Sequence, residues 1–329
     1  MKYTETALEP VGYPADFKLS ILIVNYNAGE MLGGCLESIY ATVRTEPFEV
    51  IVVDNNSSDS SIEAARKLFP RVGYIENDFN NWFTGGMNQA IRRSRGEYLL
   101  CLNPDTVCHE HAVDRLVDFL DSNPGAGLVA PKLLNGDGSL QPSCRNFLTS
   151  GNLLLQHILP WKWFPNSLRR RGVLEYWDHD ETIRSDWIIG ACILVRRKTI
   201  EDTGLKDESF PMFHEETDWC YRMKKTGWET WFLHTAEVTH FGSQSAMKYW
   251  GADLILEFYK GKHRFIGKHY GRLPLFFHRF LLAGLLSLRL AVVLVRRIFS
   301  GNPALKQETA FLLKGLAIQL RKHREPRER

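Results

Sequence analysis

The chain has 329 residues, a formal net charge of +3, and a composition of 44% hydrophobic and 24% charged residues. This balance is typical of a folded globular protein, and it argues against a disordered chain and against a dedicated nucleic-acid binder. The six cysteines are scattered without a close Cys-x-x-Cys pair, so we expect buried free thiols rather than a zinc site or a redox motif.

The first hundred residues predict alternating short strands and helices. Residues 19–24 and 50–53 are apolar runs typical of buried parallel strands, and each is followed by apolar residues at helical spacing. Further strands are predicted at 72–75 and 98–102, with a helix between them, and Ser60 with Glu63 has the spacing of a capping box. We therefore expect an α/β fold with a mostly parallel sheet covered by helices on both faces.

The rest of the chain is less regular. Residues 151–184 predict an irregular or partly helical excursion, 187–195 a strand interrupted by Gly190, 215–225 a helix that ends at Gly227, and 228–233 and 237–240 the last core strands. We expect one catalytic domain in residues 1–245 and a helical region in residues 246–329. The first apolar run is too short for a secretion signal, which favours a cytoplasmic protein with reduced thiols.

The C-terminal region contains an apolar stretch at residues 280–295. It is shorter than the roughly 20 residues of a membrane span, and Arg289 lies inside it. A helix lying in the membrane surface, a helix packed on the core and a contact between subunits all fit better. The basic residues of 321–329 suit an anionic membrane surface and, equally, a solvated tail.

Polar residues follow several of the predicted strands. Ligands of parallel sheets bind beyond the carboxyl ends of the strands, so these residues are candidates for a binding site. Asp54 suits the imide N–H of uracil or thymine, although the surrounding Asn, Ser and Asp also suit a helix cap. A stretch of small and amide residues before the third helix suits a diphosphate, or is a plain glycine loop. The candidate binding residues at these strand and helix ends are Asn25, Asn27, Asp54, Asn56, Gly85, Gly86, Asn88, Asn103 and Asp105.

Two further groups carry candidate chemistry. Asn103-Pro104-Asp105 supplies oxygen ligands for Mg²⁺ or Mn²⁺ if His240 lies beside it, although the tripeptide is also a common turn and a lone His is more often structural. Three acids, Glu215, Glu216 and Asp218, open a predicted helix. They either stabilise the helix dipole or supply a general base that takes a proton from a hydroxyl.

The order of these motifs resembles glycosyltransferase family 2, and within it the bacterial rhamnosyltransferase-like branch. The matching segments are residues 20–27, 52–59, 81–88, 96–105, 186–191, 215–222 and 240–242. The resemblance implies the GT-A fold with a C-terminal helical extension, and an inverting transfer of a sugar from a UDP- or dTDP-sugar to a glycan or lipid-linked acceptor. It implies no nucleic-acid partner.

The resemblance also implies roles for single residues. Asp54 contacts the base, Asp105 and His240 bind the metal, and Glu216 is the catalytic base with Glu215 and Asp218 in support. Asp186, Trp187 and Gly190 line the sugar and acceptor pocket. Asn103 stands where the family's Asp-x-Asp motif begins, and Glu216 stands where an Asp is usual, so the choice of base among the three acids stays open.

Two other functions compete with this hypothesis. A sugar-nucleotide pyrophosphorylase is disfavoured because no Gly-rich, Arg-containing loop follows the first strand. A noncatalytic scaffold that binds nucleotide sugars or glycans is disfavoured by Asp105, Glu216 and His240. The C-terminal helices are expected to contact the inner face of the plasma membrane or a second copy of the chain.

Overall fold

A ten-stranded sheet forms the centre of the computed structural model, which describes residues 16–147, 163–242, 253–300 and 304–320. A two-stranded sheet lies beside it. The strands are β1 (Phe17–Asn25), β2 (Phe48–Asp54), β3 (Gly73–Glu76), β4 (Gly96–Leu102), β5 (Thr106–Cys108), β6 (Ala126–Leu134), β7 (Leu140–Gln141), β8 (Cys144–Arg145), β9 (Ile183–Arg184), β10 (Trp187–Ile188), β11 (Cys192–Arg196) and β12 (Glu229–His240).

Helices cover this sheet and continue beyond it. They are α1 (Glu30–Thr42), α2 (Ser61–Leu68), α3 (Trp82–Arg93), α4 (Ala112–Ser122), α5 (Asn166–Gly172), α6 (Arg197–Thr203), α7 (Glu215–Lys225), α8 (Asp253–Tyr270), α9 (Arg272–Phe299) and α10 (Ala304–Leu320), with a 3₁₀ turn at Leu174–Tyr176. The α/β class and the C-terminal helical extension are confirmed.

The order of the main sheet is β3-β2-β1-β4-β11-β6-β12-β5, with β7 on β6 and β9 on β12. Strands β1 to β4, β6 and β12 run in one direction, as the mostly parallel prediction requires. Strand β11 runs against both of its neighbours, and β5 runs against β12. The carboxyl ends of β1, β2, β4 and β12 therefore meet along one edge of the sheet.

Two predicted strands are divided differently in the structure. The apolar run 187–195 breaks near Gly190 into β10, which pairs with β8 in the small sheet, and β11, which enters the main sheet. The predicted strands 228–233 and 237–240 are one strand, β12, whose register shifts between Leu233 and Glu237. This irregularity lets β12 reach β5 at the edge that carries His240.

The strands are buried on both faces, which explains their nearly continuous apolar runs. Leu19, Ile21 and Ile23 of β1 belong to one core cluster, whereas Leu22 and Val24 belong to the cluster on the opposite face. The second cluster also contains residues of α3, α7 and α8. All six cysteines are free and buried, as expected, and burial raises the pKa of each thiol.

The three C-terminal helices pack on one another and, through α8, on the main core. Phe265 and Ile266 of α8 belong to the second core cluster, while α9 and α10 share a smaller cluster that includes Leu286 and Leu312. Within the described residues no helix is both long and apolar enough to cross a bilayer. The basic segment 321–329 lies outside the described residues, as do residues 151–162 of the predicted excursion, and the domain boundary at 245 stays a prediction.

Candidate active site

Asp105 and His240 face each other at the edge of the sheet. Thr106 pairs with His240 in the β5–β12 ladder, and the Phe241 N–H donates to the Asp105 carbonyl at 2.9 Å. These contacts bring Asp105 Oδ1 to 3.4 Å from His240 Nε2. Two ligands at right angles on one cation with bonds of about 2.1 Å are separated by about 3 Å, so this pair fits shared coordination of a divalent ion.

A glutamine orients the His240 ring. Gln141 Oε1 lies 2.7 Å from His240 Nδ1, and Gln141 Nε2 donates to Asn135 Oδ1 at 2.9 Å. Because the Gln141 oxygen accepts, Nδ1 carries the proton and the Nε2 lone pair faces Asp105. The sequence prediction missed Gln141, because residue 141 belongs to no motif and meets His240 through the fold alone.

The donor set suits Mg²⁺ or Mn²⁺ when a substrate completes the shell. Asn103 Nδ2 lies 3.4 Å from His240 Nε2, and a flip of this amide would present its oxygen to the same ion. Within the described residues no group of three or more His, Cys, Asp or Glu side chains could hold a metal. One carboxylate, one imidazole and one amide leave several positions for phosphate oxygens and water, as is common for Mg²⁺.

The acid pair opens α7 from an unusual turn. Phe213 and His214 precede the helix with φ of 63° and 65°, a conformation that costs a non-glycine residue on the order of 1–3 kcal/mol. Glu215 and Glu216 follow, both buried, and Oε2 of each has no hydrogen-bond partner among the residues that the structure describes. Unsatisfied buried carboxylate oxygens at a strained turn are typical of a functional site.

Gly190 lies between the acid pair, Glu215 and Glu216, and the loop that carries Asp105. The Asn103 N–H donates to the Ala191 carbonyl at 2.9 Å, so residues 190 and 191 adjoin the Asn103–Asp105 loop. A Cβ atom on Gly190 would lie 3.6 Å from Glu216 Cβ and 3.9 Å from Glu215 Oε1. The structure thus brings the predicted residues 103, 105, 190, 215, 216 and 240 to one end of the sheet.

Asp218 has a different environment from the two glutamates. Its carboxylate is fully buried and accepts from Arg222 at 2.8 Å, Lys268 at 2.6 Å and His269 at 2.7 Å. Burial alone would raise the pKa of Asp218, but hydrogen bonds from His269, Lys268 and Arg222 hold it well below its usual range. This carboxylate joins α7 to α8 as an ion-pair centre.

Glu216 and Lys206 form a second buried electrostatic system. Burial and the neighbouring Glu215 raise the pKa of Glu216 well above its usual range, and the positive charge of Lys206 opposes that rise. Lys206 is 2% exposed, its Nζ has no hydrogen-bond partner in the described part of the chain, and it lies over the rings of Trp219 at 4.9 Å and Phe83 at 5.6 Å. The sequence analysis missed Lys206, which resembles any surface lysine until its loop is placed.

Comparisons with known proteins agree with this geometry. A family model described as Glycosyl transferase family 2 matches residues 20–177. The chain is 29% identical over 286 residues, 82% of its length and 91% of the relative's, to an N-acetylglucosaminyl-diphospho-decaprenol L-rhamnosyltransferase of Mycobacterium tuberculosis. Over residues 20–177 the chain is therefore similar to glycosyltransferase family 2.

Two solved structures show the same fold at 16% identity, each with a TM-score of 0.51. GalNAc-T7, solved with UDP, GalNAc and Mn²⁺, is matched over 68% of this chain and 44% of that one. TarS of S. aureus is matched over 76% of this chain and 39% of that one. The chain therefore spans less than half the length of either protein, and the likeness confirms the GT-A fold.

The predicted base-contacting residue lies in a dense polar loop. Asp54 pairs with Asn25 in the β1–β2 register and accepts from Asn25 Nδ2 at 2.7 Å and from the Ser57 N–H at 2.9 Å. Asn27 Oδ1 accepts from the Ser58 N–H at 2.7 Å. Asn56 is exposed with φ of 62°. These side chains lie at the carboxyl ends of β1 and β2, and the base contact of Asp54 stays a prediction.

The predicted capping box at Ser60 is wrong. Ser60 makes no side-chain capping bond, and the Ser61 N–H donates instead to Asp59 Oδ1 at 3.1 Å. Asp59 reaches the first turn because its own N–H bonds to Asn27, which fixes the loop. The cap therefore comes from the residue before the one that the spacing indicated.

The small residues of α3 serve close packing. A Cβ on Gly86 would lie 2.9 Å from Val24 Cγ1, and one on Gly85 would lie 2.6 Å from the Asn81 side chain. Asn88 donates to the Lys206 carbonyl and to Glu208, and accepts from the Lys206 N–H. These contacts hold the Lys206 loop in place, and the predicted diphosphate contacts of α3 remain predictions.

The three residues predicted to line the sugar and acceptor pocket lie in two different parts of the structure. Gly190 adjoins the acid pair, and the Trp187 ring lies 6.1 Å from that of His214. Asp186 accepts from the Phe147 N–H and from Lys224 Nζ, both at 2.9 Å. It lines a cavity of about 770 Å³ together with the first residues of β12, the end of that strand opposite His240. The role of Asp186 toward a sugar stays a prediction.

Proposed function

We propose that this protein is an inverting, metal-dependent hexosyltransferase of glycosyltransferase family 2. The observation that carries the proposal is the convergence of Asp105, His240 and Glu216 at one edge of the sheet, linked through Gly190. A metal-binding pair next to an unsatisfied buried carboxylate is the arrangement that a direct displacement at a sugar carbon requires.

The reaction needs no covalent enzyme intermediate. The acceptor hydroxyl attacks the anomeric carbon, its proton passes to Glu216, and the bond to the nucleoside diphosphate breaks with inversion of configuration. A divalent ion held by Asp105 and His240 would neutralise the departing diphosphate. The Nδ1–H bond to Gln141 keeps the His240 lone pair in position throughout.

Glu216 is the base we assign. Among the described residues its Oε2 has no hydrogen-bond partner, and Gly190, which has no side chain, lies beside it. Asp218 accepts hydrogen bonds from Arg222, Lys268 and His269 and serves to hold α7 in place. Glu215 supports Glu216 by sharing its buried environment.

The relative in Mycobacterium tuberculosis supports a proposal for the substrates. That protein is named for L-rhamnose and for an N-acetylglucosaminyl-diphospho-decaprenol acceptor. We propose a rhamnosyl transfer from a UDP- or dTDP-sugar to a lipid-linked glycan in cell-surface polysaccharide synthesis, with Asp54 as the contact to the base and Asp186 and Trp187 beside the sugar or acceptor.

Helix α9 would place the enzyme on the cytoplasmic face of the membrane. Large apolar side chains recur along it at helical spacing and are exposed, and Arg272, Arg296 and Arg297 lie at its two ends. Such a row with basic flanks suits an anionic bilayer surface. The exposed apolar row consists of Leu273, Phe276, Phe277, Phe280, Leu288, Val292, Val295 and Ile298.

A donor panel tests the enzymatic proposal. The protein is incubated with UDP- and dTDP-sugars and Mn²⁺, and release of the nucleoside diphosphate is measured with and without a lipid-linked acceptor. We expect release with one donor. Donor binding without any release would support the noncatalytic scaffold.

Vesicle flotation tests the membrane contact. The double variant Phe276→Ser, Phe280→Ser should lose binding to phosphatidylglycerol vesicles, whereas Leu168→Ser, at an exposed position of α5, should not. Unchanged flotation together with a loss of dimer on the double substitution would assign the row to a contact between copies of the chain.

A further inference from the structure

Helix α8 packs its inward face against the turn that opens α7. The Phe258 ring lies 4.8 Å from the His214 ring, and a Cβ on Gly261 would lie 2.8 Å from the Phe213 carbonyl oxygen. One turn further, the Phe265 ring stacks at 6.1 Å on that of Phe147. Positions 258, 261, 262 and 265 share one helical face, so Lys262 lies where α8 meets the start of α7.

Lys262 is a buried lysine without a partner. It is 9% exposed and makes no hydrogen bond or ion pair with any residue that the structure describes. Burial lowers the pKa of Lys262 to about 8, and Glu175 opposes that change. A largely buried lysine without an acceptor is costly, and proteins keep one where an anion binds or chemistry needs it.

Basic side chains outnumber acidic side chains around Lys262. Burial lowers the pKa of His214 to about 3, with Lys262, His278 and His263 adding to the effect, so Lys262 lies close to the turn. Glu175 also faces Arg145, and Arg145 Nη2 lies 3.9 Å from Glu175 Oε1. Glu175 is the carboxylate that acts on Lys262, and it forms no hydrogen bond or ion pair with it among the described residues.

The position of Lys262 lies between two parts of the proposed site. The acid pair is on one side, at the start of α7. On the other side the His263 ring of α8 lies 6.1 Å from the His278 ring of α9, at the end of α9 where Phe276, Phe277 and Phe280 are exposed. The fold therefore has, in order, a general base, a buried cation and an apolar surface.

We propose that Lys262 binds a phosphate oxygen of the diphosphate in a lipid-linked acceptor, with His263 and His278 beside it. This inference rests on the proposed function and adds an acceptor subsite to it. A prenyl-diphosphate sugar has the same order as the protein: a hydroxyl for Glu216, a diphosphate for Lys262, and a hydrocarbon chain for the apolar row of α9.

Binding of farnesyl diphosphate tests the subsite without a sugar. Calorimetric titration is performed with Mn²⁺ and saturating UDP or dTDP, so that the donor site is occupied. We expect Lys262→Met to weaken binding about tenfold or more, as loss of a buried charge partner does, and Lys262→Arg to retain most of it. Lys260→Met is the matched control, because Lys260 lies on the same helix, is partly exposed and pairs with Glu257.

Further binding measurements distinguish a prenyl diphosphate from a membrane phospholipid and from free pyrophosphate as the ligand of Lys262. Farnesol should bind much more weakly than farnesyl diphosphate, and phosphatidylglycerol vesicles should bind the Lys262→Met variant as well as the wild type. The inference is overturned if Lys262→Met leaves farnesyl diphosphate binding unchanged, if pyrophosphate alone binds as tightly, or if the variant instead loses vesicle binding. Absence of nucleoside diphosphate release by the wild type from every donor would overturn the proposed function and is measured separately.

Discussion

Replacing Glu216, the proposed base, by glutamine should lower the activity without lowering the stability. Glu216→Gln keeps the shape of the side chain but cannot accept a proton. General base catalysis contributes about 10²- to 10⁴-fold to a rate, so we expect kcat to fall by that factor, with donor affinity retained. The assay is nucleoside diphosphate release at saturating donor and acceptor, together with donor binding by calorimetry.

Stability should change in the opposite direction. Burial and Glu215 raise the pKa of Glu216 in the native state above its value in the unfolded chain, so the native state binds the proton more tightly. The wild type therefore loses stability as the pH rises through that raised pKa, and the amide does not. We expect the Tm of Glu216→Gln to equal or exceed the wild-type Tm at pH 8, and the difference to shrink at pH 5.

The same pair of measurements contains its own control. Glu215→Gln removes the neighbouring carboxylate but leaves the base, so it should keep more activity than Glu216→Gln. A Glu216→Gln enzyme that keeps more than about a tenth of wild-type kcat would refute the assignment, since even a weak general base contributes more than that. So would a lower Tm at pH 8.

Three other substitutions probe the surroundings of the site. Gln141→Leu removes the partner of His240 Nδ1 and should weaken Mn²⁺ binding about 10- to 100-fold, measured by titration with paramagnetic resonance detection. Lys206→Met removes the charge that lowers the pKa of Glu216, so the acid limb of the kcat profile should move to higher pH, while Lys206→Arg should keep the wild-type profile. Asp218→Asn removes the charge of a fully buried carboxylate that pairs with Arg222 and Lys268, and should cost about 3–5 kcal/mol of unfolding free energy in urea titration. An Asp218→Asn protein of wild-type stability but without activity would reassign the base.

The parts of the fold that the sequence predicts are those with local signals. Residues 19–24 and 50–53 are buried on both faces and read as continuous apolar runs, and both lie within the observed strands. The helix at 215–225 matches α7, because acids at its start and Gly227 after its end mark both boundaries. The polar residues after β1, β2 and β4 lie at one edge, as the direction of parallel strands requires.

The parts that the sequence does not predict depend on distant contacts. Strand β11 inserts between β4 and β6 and runs against both, and no local pattern of residues 192–196 indicates that direction. Gln141 meets His240 across 99 positions of sequence, and Lys206 becomes a buried cation because Asn88 holds its loop. The division of the three acids into an unsatisfied pair and a saturated ion-pair centre likewise depends on α8, whose Lys268 and His269 reach Asp218.

The central claim is that a divalent ion binds between Asp105 and His240 beside Glu216. The most direct measurement is anomalous diffraction from a crystal grown with Mn²⁺ and a nucleoside diphosphate. We expect one strong manganese peak within about 2–2.5 Å of His240 Nε2 and of an Asp105 oxygen, with diphosphate oxygens completing the shell. A crystal with bound nucleotide and no peak there, or with the manganese held by other residues, would contradict the account.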